Sequence, residues 1–117
     1  MPGMILHNGK PYAALGLKGG HVQPQVQVQI ISNLLDHNMT PQQAVSAPRF
    51  NHIEGLKVGL EPRIARDLTD ELTRRGHQIV GANAESFGGA HLITIDPESG
   101  VLTGGSDPRK GGCALGF

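Results

Sequence analysis

Residues 25–36, QVQVQIISNLLD, carry two competing periodicities. Val26, Val28 and Ile30 alternate with glutamine, which is the period of a half-buried strand. Set at about 100° per residue over the whole window, Val26, Ile30, Leu34, Ile31, Leu35 and Val28 fall within one arc of about 200°. Gln25, Gln29, Ser32, Asn33 and Asp36 take the opposite side, and only Gln27 intrudes on the apolar arc. The longer window predicts a helix with a broad buried face that meets more than one neighbour. Pro24 suits its first turn, where a missing N–H costs nothing, and Asn38 suits its end.

The same reading places other elements around this helix. Residues 4–7 and 10–17 form a hairpin about Asn8-Gly9, because both turn residues tolerate positive φ. Thr40-Pro41-Gln42-Gln43 reads as an N-cap, a proline at the first helical position and a glutamine at the third, opening a short helix that ends before Pro48. Residues 49–53 and 57–60 are two short strands around Glu54-Gly55. Pro62 opens a further helix, with Ile64, Leu68 and Leu72 in register and Arg74, Arg75 and Gly76 at its end. Residues 77–80 make a strand, a polar loop runs to Gly89, and 91–96 with 101–103 close a second hairpin. No internal repeat or domain boundary interrupts residues 1–117, which read as a single α+β domain or fragment. Its sheet, mixed or antiparallel, carries helices on one face.

Composition removes several classes of function. Ten basic residues balance ten acidic ones, which gives no electrostatic case for nucleic acid or an anionic membrane surface. Apolar runs are only a few residues long, far short of a membrane span. Cys113 is the only cysteine, so the chain holds no internal disulfide and does not declare its compartment. MPGMIL lacks the features of a signal peptide. Strand-like sequence within three residues of the start, and an apolar CALGF at the end, suggest a piece of something longer.

Candidate chemistry is sparse. Gly19-Gly20 ahead of the helix leaves backbone N–H groups uncovered beside a helix N-terminus, an arrangement that holds a carboxylate, a phosphate or an acyl-transfer oxyanion. A turn whose glycines only satisfy backbone geometry is the plainer alternative. His7, His21, His37, His52, His77 and His91 lack metal-ligand spacing and read as scattered surface or packing residues. In Ser106-Asp107-Pro108-Arg109-Lys110, Arg109 either grips a carboxylate or, as we favour, forms a structural ion pair. The thiol of Cys113, in an apolar tail, is expected to be buried. Phe87-Gly88-Gly89-Ala90 lines a site or simply turns tightly into the next strand. No serine or threonine sits in a nucleophile motif.

In order, MILHNGKPYAALGLKGG, NLLDHNMTPQQAVSAPRF, LEPRI, RRGHQI and FGGAHLITIDPESGVLTGGSDPRKGG resemble the C-terminal part of the gamma-glutamyltransferase family over essentially the whole chain. The resemblance implies part of an αββα N-terminal-nucleophile hydrolase sandwich. It implies a precursor that cleaves itself into large and small subunits, whose new N-terminal threonine is both nucleophile and general base on a γ-glutamyl amide. Gly19 and Gly20 then match the oxyanion-hole glycines, with Lys18 and His21 beside them as candidate substrate contacts. Gly16-Leu17-Lys18-Gly19-Gly20 departs from the Gly-Ser-Pro-Gly-Gly of the transpeptidases, and His21-Val22-Gln23-Pro24-Gln25 looks more like the acylase branch.

The serine pair that holds the substrate α-carboxylate, and the threonine itself, are expected ahead of residue 1. None of Thr40, Thr69, Thr73, Thr94 or Thr103 stands at a free N-terminus. The chain alone is therefore expected to be inactive and to self-associate, its partners being the large subunit and the rest of the small one. No cofactor or metal is expected. The competing expectations are a non-catalytic module of the same ancestry that binds a partner or small anion, and an unrelated anion-binding α+β domain.

Overall fold

A computed structural model describes residues 1–116, at Ala84 the backbone only. In chain order the elements are β1 (Pro2–His7), β2 (Lys10–Lys18), a 3₁₀ turn (Gly20–Val22), α1 (Gln23–Leu35) and α2 (Pro41–Ser46). There follow β3 (Phe50–Glu54), β4 (Lys57–Leu60), α3 (Arg66–Arg74), β5 (Gln78–Val80), a 3₁₀ turn (Ala84–Phe87), β6 (Gly89–Ile95) and β7 (Leu102–Ser106).

The larger sheet runs β1-β2-β6-β7 and is antiparallel throughout. Its first hairpin turns through Asn8 and Gly9 at φ 51° and 75°, as the dipeptide predicts. Leu15, Leu92 and Gly105 stand abreast on one face. Leu15 and Leu92 bury there with Ala13, Leu17 and Ala90 against Val26, Ile30 and Leu34 of α1 and Ala44 and Val45 of α2. Gly105 is small because α2 starts on top of it: a Cβ there would lie 2.6 Å from the Pro41 carbonyl. Thr40 caps α2 as expected, accepting from Gln43 N–H while the Gln43 side chain accepts from Thr40 N–H. The opposite row, Met4, Ala14, Ile93 and Gly104, faces away from the helices. Met4, Leu6, Ile93 and Leu102 are 63, 60, 45 and 65% exposed.

The strands divide into two sheets where one was expected. The second, β3-β4-β5, pairs β3 with β4 antiparallel and β4 with β5 in parallel, the parallel pair being joined through α3. It meets α1 through glutamine side chains. Gln25 donates to His52 O at 3.0 Å and accepts from His52 N at 2.8 Å. Gln29 does the same to Phe50 O and N at 3.0 and 3.1 Å.

Three other expectations change. Only Val26, Ile30 and Leu34 of α1 are buried, while Val28 and Leu35 are exposed, because one sheet face and α2 cover a narrower stripe than the apolar arc. The third helix begins at Arg66, not Pro62. Glu61 is fixed by other partners, its carbonyl accepts Ile64 N–H at 2.9 Å, and Arg63 folds back onto its carboxylate, so the chain turns there first. Cys113 is exposed, because its tail lies on the face of β6 and β7 away from the helices, with no further layer over it among the described residues.

Candidate functional site

Gly19 follows the last residue of β2 at φ 137° and Gly20 begins the first 3₁₀ turn at φ 64°, a run of positive φ that L-residues rarely adopt. The turn feeds straight into the N-terminus of α1, whose partial positive charge lies behind it. Both glycines are exposed. Leu17 N–H donates to Met1 O at 3.0 Å, and strand alternation aims the Gly19 N–H at the same edge. Among the described residues, neither the Gly19 nor the Gly20 N–H is paired.

Behind the turn lies a second glycine segment. A Cβ on Gly19 would sit 2.7 Å from Gly88 Cα, and one on Gly88 would sit 2.7 Å from Lys18 O. Backbone therefore touches backbone with no room for a side chain on either. Beside the turn is a shallow concavity of about 230 Å³ lined by Met1, Pro2, Gly16, Lys18, Gly89 and His91. The structure brings Lys18 to this concavity and leaves His21 exposed on the 3₁₀ turn, outside the lining. His91 adds an imidazole whose Nδ1 lies 3.2 Å from the Ser106 hydroxyl.

The side chains with the most extensive bonding lie under this region. Arg49, 1% exposed, donates to Phe87 O and Val45 O, both at 2.9 Å, and pairs with Asp107 Oδ2 at 2.6 Å. The same Asp107 oxygen accepts Ala90 N–H at 2.9 Å. Arg109 grips Glu61 with two bonds of 2.6 Å, reaches Asp107 Oδ1 at 3.1 Å, and donates to Val45 O and Ala47 O. Glu61 also accepts Arg49 N–H at 2.9 Å.

Burial alone would raise the Glu61 carboxyl, but hydrogen bonds from Arg109 and Arg49 N–H, with the charges of Arg109 and Arg63, hold it below its ordinary value. Burial pulls Arg49 down, and the neighbouring Arg109 adds to that, while burial of Arg109 is outweighed by Glu61 and Asp107, which raise it. Both guanidiniums stay charged at neutral pH. Arg109 thus makes the structural ion pair read from its turn. Arg49 and Glu61 carry no such local signal beyond an arginine set between Pro48 and Phe50 in AVSAPRF, which marks Arg49 alone.

The histidines do not converge. Five are exposed and His77 is half-buried, and among the described residues no three of His, Cys, Asp and Glu are placed to hold a metal.

The fold, with two helices on one face of an antiparallel sheet, is shared with N-terminal-nucleophile hydrolases. Residues 1–117 match the family model described as Gamma-glutamyltranspeptidase, and the chain belongs to that family. It is 41% identical over 126 residues to the glutathione hydrolase-like YwrD proenzyme of Bacillus subtilis strain 168, covering all of this chain and 23% of that one. Superposed on the cephalosporin acylase of Bacillus halodurans it gives a TM-score of 0.89 at 38% identity, over 92% of this chain and 20% of that one. A mutant gamma-glutamyltranspeptidase of Helicobacter pylori gives 0.84 at 34% identity, over 94% and 60%. The chain thus spans less than a quarter of its curated relative YwrD.

Proposed function

We propose that this chain is the C-terminal portion of the small subunit of an amidohydrolase or acyltransferase, in which the N–H groups of Gly19 and Gly20 form the oxyanion hole. The carrying observation is the pair of unpaired N–H groups at positive φ just ahead of α1, with Gly19 packed against Gly88. Donors fixed in this way stabilise charge as it develops, without reorganising at the moment of reaction. Met1 lies beside the turn, its carbonyl accepting Leu17 N–H at 3.0 Å on the strand edge that leads into the glycine pair. A nucleophile supplied there by an N-terminal threonine attacks the amide, and the acyl group passes to water or an amine.

Lys18, at the concavity, meets the acyl group's carboxylate, with His21 a further substrate contact from the turn. The acyl group is γ-glutamyl or a related one such as glutaryl, in keeping with similarity to both a glutathione hydrolase-like protein and an acylase. The large subunit and the remainder of the small one cover the exposed sheet face carrying Met4, Ile93 and Leu102.

The test is turnover of γ-glutamyl-p-nitroanilide and its glutaryl counterpart by the longer protein that carries this chain. Gly19→Ala, whose Cβ meets Gly88, should lower kcat by about 10²–10³-fold with little change in KM. Undiminished kcat in that variant, or robust turnover by the isolated 117 residues, would overturn the proposal.

A further inference from the structure

We infer that the buried Arg49–Asp107 pair is a positioning device for the Gly19–Gly20 turn, acting through residues 87–90. The inference rests on the reading of that turn as an oxyanion hole. Arg49 holds one end of the segment by its bond to Phe87 O, and Asp107 holds the other by accepting Ala90 N–H. One carboxylate oxygen joins the two clamps, because Asp107 Oδ2 takes both the Arg49 guanidinium and the Ala90 N–H. Between the clamps Gly88, at φ 64°, is pressed onto Lys18 O and Gly19, with Val22 Cγ1 wedged close to both glycines. The Phe87 side chain is fully buried and anchors the segment from below. Any shift of residues 87–90 is therefore passed to Gly19 by direct backbone contact, with no flexible side chain between them.

The chemistry of the pair fits such a role better than it fits added stability. Replacing a buried ion pair by apolar residues is often neutral, and Arg49 Nε is itself left without a partner among the described residues. A guanidinium instead supplies direction: its planar fork reaches Phe87 O, Val45 O and Asp107 together, which the single ammonium of lysine does not reproduce. The end of α2, the glycine segment and the residue after β7 are set in one frame, and the frame meets the turn through Gly88 and through the pairing of Gly89 and Ala90 with Lys18 and Leu17.

Arg49→Lys in the longer protein tests this with two readouts. Hydrogen exchange should quicken in residues 17–23 and 87–90 while the β1–β2 turn and α3 keep their wild-type rates. In turnover, kcat should fall by about 10²-fold with KM within about two-fold of wild type, since a displaced oxyanion donor is missed only in the transition state. Gly88→Ala leaves the ion pair intact but drives a methyl onto Lys18 O, and it should give the same signature. Arg63→Ala, which removes only an exposed arginine from Glu61, should leave both readouts unchanged. Wild-type exchange at residues 17–23 in Arg49→Lys, or a defect confined to KM, overturns the inference. Should Arg49→Lys fail to fold, Gly88→Ala decides by the same two readouts. If the wild-type protein turns over no amide, the oxyanion reading fails, and the exchange comparison alone decides whether the pair positions the turn.

Discussion

Glu61 takes both bonds of the Arg109 fork, the Arg49 N–H and the Arg63 guanidinium while it is 7% exposed. Its folded-state carboxyl titrates below the ordinary 4.5, so the unfolded chain binds the proton more readily. The resulting stability is present above pH 4.5 and is lost as the pH falls through the lower folded value. Melting curves of wild type and Glu61→Gln should therefore differ most at neutral pH and converge under acid; a constant gap from pH 7 to 3 would contradict this, those two pH values being about the range that spans carboxylate titration. By contrast, the exposed Lys57–Glu54 pair contributes less than about 1 kcal/mol. At this scale the sequence was only partly legible. Gly19, Gly20 and Arg109 were recognisable from local motifs, because each sits in a turn with its own chemistry. Arg49 and Glu61 were not, because their partners lie 58 and 48 residues away and only the fold brings them together.

Elements with local signals were the ones legible in advance. The Asn8-Gly9 hairpin and the Thr40 capping box each depend on residues within four positions of one another, and both form as read. Thr40→Ala removes a cap from a helix of only six residues and should cost about 1 kcal/mol, seen as a lower urea midpoint at unchanged slope. An unchanged midpoint would mean that packing on Gly105 alone sets the start of α2. The third helix was misplaced by four residues because Pro62 is an equally good first residue for a turn, and the bonds that favour the turn come from Arg49, Arg63 and Arg109. The breadth of α1's buried face was overestimated for a related reason. Periodicity reports which residues are apolar, not how many neighbours arrive to cover them.

At the scale of the whole molecule, one face of the larger sheet is finished and the other is left open apart from residues 113–116 lying beside β6 and β7. The finished face holds the core; the open one carries Met4, Leu6, Ile93 and Leu102. Contiguous exposed apolar surface of this kind marks an interface. The isolated chain should therefore self-associate, with a light-scattering mass that rises with concentration, and Met4→Lys with Leu102→Lys should return it to a monomer. A wild-type monomer at every concentration would rule this out. The way it associates is narrowed by the glutamines. Gln25 and Gln29 each give and take one hydrogen bond on β3, and Gln42 does so on β7, donating to Ser106 O at 2.9 Å and accepting from Ser106 N at 3.0 Å. Each primary amide occupies one rung that a strand from a second chain would otherwise claim. Ladder growth is closed along β3 and at the Ser106 end of β7 by single side chains, so what the molecule offers to a neighbour there is a surface to lie on and not a sheet to extend.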